Sequence, residues 1–157
     1  MKLLFICLGN ICRSPAAEEV MRQTVARAGA GSVVEALDSA GTYGGHRGEL
    51  ADPRMRVAAS RRGYTLLHRS RTLREEDFDE FDMLLVMDDM NYESVHRLAP
   101  SRAHAEKIYR LRDWLSADRF PDRTYIPDPY YEGAEGCELV LDMLEDACAN
   151  LLADLTE

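Results

Sequence analysis

Lys2-Leu3-Leu4-Phe5-Ile6-Cys7-Leu8-Gly9-Asn10-Ile11-Cys12-Arg13-Ser14-Pro15 stands at the start of the chain and decides how the rest is read. From Leu3 to Cys7 every side chain is apolar, with no polar alternation, which predicts a short strand covered on both faces. Pro15 suits the first turn of a helix, where its missing N–H has no partner to lose. Beyond it Ala17, Val20, Met21, Val25 and Ala28 recur at helical spacing, and Gly29 supplies the stop. The stretch therefore reads as strand, tight loop, helix.

Two more apolar runs, within 33–40 and at 83–87, also read as strands buried on both faces, and a weaker fourth lies at 107–111. Helical patterns fill the spaces between them: 53–62, closed by Gly63; a segment after Asp88; and 134–155. The last carries Cys137, Val140, Leu141, Leu144, Cys148, Leu151, Leu152 and Leu155 on one stripe. Strands alternating with helices specify a parallel sheet, because each parallel crossover must cover a face of the sheet. The expectation is an α/β fold. It has one domain over residues 1–157, in three α/β/α layers around a four-stranded parallel sheet, with a phosphate-binding loop after strand 1. Ligands in such sheets bind beyond the carboxyl ends of the strands at a topological switch point, and Cys7 falls at such an end.

At 157 residues, 46% hydrophobic and 30% charged, the chain can bury a core without disulfides or a structural metal. Its net charge of −9 opposes nucleic-acid binding and requires any anion site to draw its positive potential locally. The apolar start is too short for a secretory signal and runs directly into Gly9, Asn10 and Arg13. No apolar run is long enough to cross a bilayer, so a cytoplasmic protein without membrane insertion is expected. Cys7, Cys12, Cys137 and Cys148 are expected to be reduced thiols. The first two lack the companion Cys or His of a zinc site, and the last two fall on the apolar stripe as buried thiols. No metal or cofactor is implied.

The loop itself carries the chemistry. N–H groups over residues 8–14, next to the positive end of a helix, can wrap a phosphate as an anion nest. The loop residues concerned are Leu8, Gly9, Asn10, Ile11, Cys12 and Ser14. Gly9 is expected to permit a backbone conformation hindered by a side chain, and Asn10 to take a left-handed one while its amide ties the loop together. The planar fork of Arg13 can hold two phosphoryl oxygens into the transition state. Cys7, beside Arg13 and the helix end, is placed to act as a thiolate nucleophile, and the Ser14 hydroxyl can stabilise that thiolate when it leaves. A bare C-x5-R pattern would be weak; its position after a strand and before a helix makes it specific.

With these residues in view the chain resembles the low-molecular-weight protein tyrosine phosphatases almost end to end. The resemblance rests on Phe5 through Pro15, then Asp38-Ser39-Ala40-Gly41-Thr42, Asp52-Pro53-Arg54, Val86-Met87-Asp88 and Asp128-Pro129-Tyr130-Tyr131. It implies hydrolysis of phosphotyrosine through a phosphocysteine, with Cys7 as nucleophile, Arg13 as transition-state clamp and Asp128 as general acid and then base. Tyr43, Tyr130 and Tyr131 are candidate pocket walls, with Ile11 and Leu8 shaping the entrance. Ser39 and Asn10 would brace the loop, and His68 and Asp88 would hydrogen-bond beneath it. His46, His96 and His104 have no assigned chemistry, and Gly44-Gly45-His46 departs from relatives that carry an aromatic near Gly45. Cys12 is a candidate redox partner for Cys7, because the two thiols share one loop. A phosphotyrosyl protein or small aryl phosphate is the expected partner, with inorganic phosphate as product and inhibitor. The competing readings are a protein arginine phosphatase, disfavoured by Ile11; a thiol-coupled arsenate reductase, disfavoured by the lack of Cys in residues 87–91; and a non-catalytic phosphopeptide-binding module, disfavoured by the presence of Cys7 and Asp128 together.

Overall fold

The computed structural model describes residues 1–122, 124–131 and 133–157, with Tyr131 described in its backbone only. Strand β1 (Lys2–Cys7) lies between β2 (Ala36–Gly41) and β3 (Met83–Val86), and β4 (Ile108–Arg110) closes one edge, all parallel in the order β2-β1-β3-β4. The chain moves from β1 to β2 on one side and then crosses to β3 on the other. The switch point therefore falls at the carboxyl end of β1, with Cys7 paired to Gly41 at the last step of the ladder.

Alternation along β1 sorts its side chains into two layers, both fully covered. Leu3, Phe5 and Cys7 join one core cluster with α1 (Arg13–Ala28), α2 (Pro53–Ser60) and the long C-terminal helix. Leu4 and Ile6 join the other, with Phe78, Leu84, Val86 and Val95. Each large apolar side chain buried in this way contributes about 1.5–3 kcal/mol. Among the described residues no helix is long and apolar enough to cross a membrane.

Several boundaries differ from the sequence pattern. Strand β2 begins at Ala36, since Val33 and Val34 instead donate their N–H groups to Ala30 O in the turn that ends α1. Helix α1 starts two residues before Pro15, which still stands in the first turn. Helix α2 begins at Pro53 behind the cap Asp52, whose carboxylate accepts from Arg54 N, and its turn closes at Gly63 with φ +87°. Short helices α3 (Asp77–Glu80) and α5 (Arg102–Ala105) carry no periodic signal. Helix α4 (Asp89–Leu98) follows Asp88, and α6 (Gly133–Thr156) is the predicted long helix. Cys137 and Cys148 are buried on α6. Arg62 ties that helix to the rest of the layer through Glu138, Asp142 and Glu145 at 2.7–2.9 Å.

Candidate active site

The loop between β1 and α1 is held open by turning its carbonyls outward. Cys7 O accepts from Thr42 N, Leu8 O from Tyr43 N, Gly9 O from the Ser70 hydroxyl and Ile11 O from Asp52 N, at 2.7–3.1 Å. Within the described residues the N–H groups of Leu8, Gly9, Asn10, Ile11 and Cys12 meet no acceptor. Leu8, Gly9, Ile11 and Cys12 line a concave cleft beside the N-terminus of α1, the geometry that receives an oxyanion.

Asn10 sets the curvature of this loop. It is the one non-glycine residue with positive φ, at 56°, among those described. Its amide is buried and fully used: Nδ2 donates to Ser14 Oγ (2.8 Å) and Ser39 Oγ (3.0 Å), and Oδ1 accepts from Arg71 N (3.0 Å) and His68 Nε2 (2.8 Å). Because Oδ1 already takes a backbone N–H, the amide cannot be turned round, and His68 Nε2 must be a donor. Gly9, expected to supply an unusual backbone conformation, does not have positive φ. A Cβ there would approach His46 Cδ2 to 3.1 Å, a tight contact that the His46 ring would have to yield to.

Cys7 Sγ lies 3.0 Å from Ser14 Oγ. Arg13, almost wholly buried, extends from the first position of α1, and Nη1 donates to Asp88 Oδ2 at 2.7 Å and Ile126 O at 3.0 Å. Nη2 lies 3.6 Å from Asp128 Oδ2. Burial works against the Arg13 charge, but Cys7, Asp88 and Asp128 outweigh it and push its pKa above the usual value. Asp88 performs two tasks at once, capping α4 through Asn91 N at 2.8 Å and fixing the guanidinium. Asp128, 39% exposed at its side chain, is aimed by a bond from Tyr130 N to Oδ1 at 3.0 Å. The fully buried Ile126 anchors that loop, donating its N–H to Met87 O at 2.8 Å.

Cys7, Leu8, Ile11, Cys12, Arg13, Asp128, Tyr43 and Tyr130 line one cleft of about 270 Å³, together with His46. His46 bridges the two tyrosines, edge-on to Tyr43 at 6.2 Å between ring centroids and tilted to Tyr130 at 6.3 Å. Arg54 lies over the Tyr130 ring, 5.6 Å from its centroid, and donates to Tyr130 O at 2.6 Å. The predicted Tyr131 wall lies outside the described residues as far as its side chain is concerned. A Cβ at Gly45 would clash with Cε2, Cζ and the hydroxyl of Tyr43, so the bare glycine is what lets Tyr43 lie along the rim. Sequence reading assigned neither His46 nor Arg54, since only tertiary packing puts them at the mouth. The Gly-Gly pair before His46 was the available hint of close ring approach.

Ser39, His68 and Asp88 all fall beneath the loop. His68 Nδ1 stands 3.3 Å from both Glu18 Oε1 and Asp38 Oδ1. Ligand atoms of Glu18, Asp38 and His68 lie within 4.8 Å of one another. Each carboxylate already has a guanidinium, however: Arg22 at 2.7 Å from Glu18 and Arg71 at 3.0 Å from Asp38. Glu18 also accepts from Ser39 Oγ at 2.8 Å, so the cluster reads as an ion-paired brace for Asn10. Burial, reinforced by Asp52, Cys7 and Asp128, pushes the Cys12 thiol well above its ordinary pKa, which makes it a neutral neighbour of Cys7.

Comparison with known proteins agrees with this geometry. The family model described as low molecular weight phosphotyrosine protein phosphatase matches residues 2–157. A low molecular weight protein-tyrosine-phosphatase of Streptomyces coelicolor is 43% identical over 156 residues, 99% of this chain and 94% of that protein. Low molecular weight phosphotyrosine protein phosphatase 1 of Drosophila melanogaster is 41% identical over 154 residues, 98% of this chain and 96% of that one. A crystal structure of a protein tyrosine phosphatase from Entamoeba histolytica superposes with a TM-score of 0.92 at 42% identity, covering 99% of this chain and 97% of that chain.

Proposed function

The chain belongs to the low molecular weight phosphotyrosine protein phosphatase family, and from that premise we propose that it hydrolyses phosphotyrosine through a covalent phosphocysteine on Cys7. The observation that carries the reading is one cleft holding the Cys7 sulfur against Ser14 Oγ at 3.0 Å, with a buried Arg13 between two carboxylates.

In the first step the Cys7 thiolate attacks phosphorus, and the bond from phosphorus to the phenolic oxygen breaks. The loop N–H groups and Arg13 hold the equatorial oxygens as charge develops on them. Asp128, entering as the neutral acid from the open side of the cleft, gives its proton to the departing phenolate. In the second step a water attacks phosphorus and Asp128, now a carboxylate, takes its proton. The S–P bond breaks, and the Ser14 hydroxyl stabilises the returning thiolate. Inorganic phosphate leaves, and because it fits the same cradle it competes with substrate.

Tyr43, His46 and Tyr130 form a mouth for a flat ring, and Ile11 is an apolar contact in the cleft, both of which favour an aryl phosphate over a guanidinium phosphate. Cys137 and Cys148 are buried in α6, which disfavours relay of a disulfide outward as arsenate reduction requires. Free thiols at all four cysteines suit a cytoplasmic location. The test is hydrolysis of p-nitrophenyl phosphate and of a phosphotyrosyl peptide by wild type and Cys7→Ser. Turnover by the wild type alone is expected, and substantial turnover by Cys7→Ser would remove Cys7 from its role.

A further inference from the structure

Charge along the chain is unevenly placed. Residues 44–74 carry eight arginines against two acids, although the whole chain has a net charge of −9. Three of the eight are occupied below the loop or against α6: Arg71 and Arg74 by Asp77, and Arg62 by the α6 carboxylates. Arg54 pairs with Asp52 at 3.2 Å and reaches the cleft. Arg47, Arg56, Arg61 and Arg69 face no carboxylate among the described residues.

Arg54 and Arg61 flank the exposed Val57 along α2 at helical spacing, which puts them on one face. A hollow of about 250 Å³ beside the cleft is lined by Pro53, Arg54, Val57 and Arg61. Pro53, Val57 and Arg61 also line a longer groove of about 590 Å³, with Arg56 and Leu50. The surface is therefore continuous: from the cleft over Arg54, along α2, to Arg56 and Arg61.

We propose that this arginine-bearing face of α2 docks acidic residues flanking the phosphotyrosine of a protein substrate. The occupant follows from complementarity, since a locally cationic surface on an anionic protein selects anionic segments and repels none of their charges. Its continuity with the cleft makes the segment one that also presents the phosphotyrosine. Helix α2 has eight residues and is about 12 Å long. An extended peptide covers that length in about four residues, so the acids that count lie within about six positions of the phosphotyrosine. The apolar strip from Val57 and Leu50 takes an aliphatic side chain between them.

The proposal rests on the cleft being a phosphotyrosine site, and its test separates the two. Labelled phosphotyrosine peptides with three Glu or three Gln on each side are titrated into the Cys7→Ser protein and followed by anisotropy. Exposed ion pairs contribute up to a few-fold each, so the Glu peptide is expected to bind about tenfold tighter at low salt. Arg56→Glu with Arg61→Glu should erase that advantage while changing Gln-peptide affinity less than twofold. The same pair in the Cys7 enzyme should leave p-nitrophenyl phosphate turnover unchanged. Equal affinities for the two peptides, with turnover intact, overturn the docking face alone. An unphosphorylated Glu peptide, or a vesicle of anionic lipid, binding as tightly as the phosphopeptide overturns it too. Loss of wild-type turnover overturns the underlying reading instead.

Discussion

Asn10→Ala tests whether one amide holds the phosphate loop in shape. It removes four hydrogen bonds, but the losses are unequal. Ser14 Oγ keeps Cys7 Sγ at 3.0 Å and Ser39 Oγ keeps Glu18 at 2.8 Å. The Arg71 N–H and the His68 Nε2–H lose their acceptor outright. Each donor left without a partner costs about 1–3 kcal/mol, with His68 toward the lower end because it is partly exposed. Alanine at φ 56° adds about 1–2 kcal/mol that glycine largely escapes. The expected destabilisation is thus about 4 kcal/mol for Asn10→Ala, with Asn10→Gly about 1 kcal/mol milder. At this chain length about 4 kcal/mol lowers Tm by about 8–16 °C. Urea unfolding followed through the single tryptophan, Trp114, which packs against α6 through Asn150 and Asp154, reads the difference. In parallel, kcat should fall for both variants because the loop amides lose their aim. If both variants stay within about 1 kcal/mol of wild type with kcat/KM unchanged, the loop keeps its curvature without Asn10 and the reasoning fails.

Asp128→Ala should slow phosphotyrosine cleavage by about 10²–10⁴-fold, the usual worth of a general acid, and slow an aryl phosphate with an activated leaving group far less; equal losses on both would count against the role. Hydrogen peroxide should inactivate the enzyme reversibly. Cys7 is oxidised to the sulfenate with release of water, and the Cys12 thiol then displaces hydroxide to form a Cys7–Cys12 disulfide that a dithiol reduces. Mass spectrometry showing only irreversible Cys7 oxides would make Cys12 structural. Stability should decline in alkali. Burial raises the pKa of Cys12 and Cys148 in the folded state, so their contribution is intact below the unfolded value of ~8.5 and is lost as pH rises above it. The loss is about 2 kcal/mol per thiol by pH ~10. A Cys148→Ala variant should show a shallower decline, and an unchanged slope would refute the assignment.

What the sequence made legible is local. The strand, the loop and the helix start lie within fourteen consecutive residues, so Cys7, Arg13, Ser14 and the left-handed Asn10 follow from spacing and residue type. Asp128 does not, because nothing near it in the chain distinguishes an acid from a turn residue, and only resemblance selected it. His46 and Arg54 receive no role from the sequence because their place depends on how residues 44–54 fold back over the loop and the Tyr130 ring. Gly9 does not take the left-handed backbone expected of it, and the His46 ring close to it lies far along the chain, where no local pattern could reveal it. Helix α3 had no period to read: its buried Asp77 is held by Arg71 and Arg74, a partnership visible only in three dimensions.

The central claim is a bond between the Cys7 sulfur and phosphorus. Rapid quenching of Asp128→Ala during turnover of an activated aryl phosphate, followed by peptide mass spectrometry, tests it most directly. The expected result is one phosphoryl group on the peptide containing Cys7, absent from Cys7→Ser and discharged over time to inorganic phosphate. A phosphoryl group on another residue, or steady turnover with unmodified Cys7 at every quench time, would contradict it.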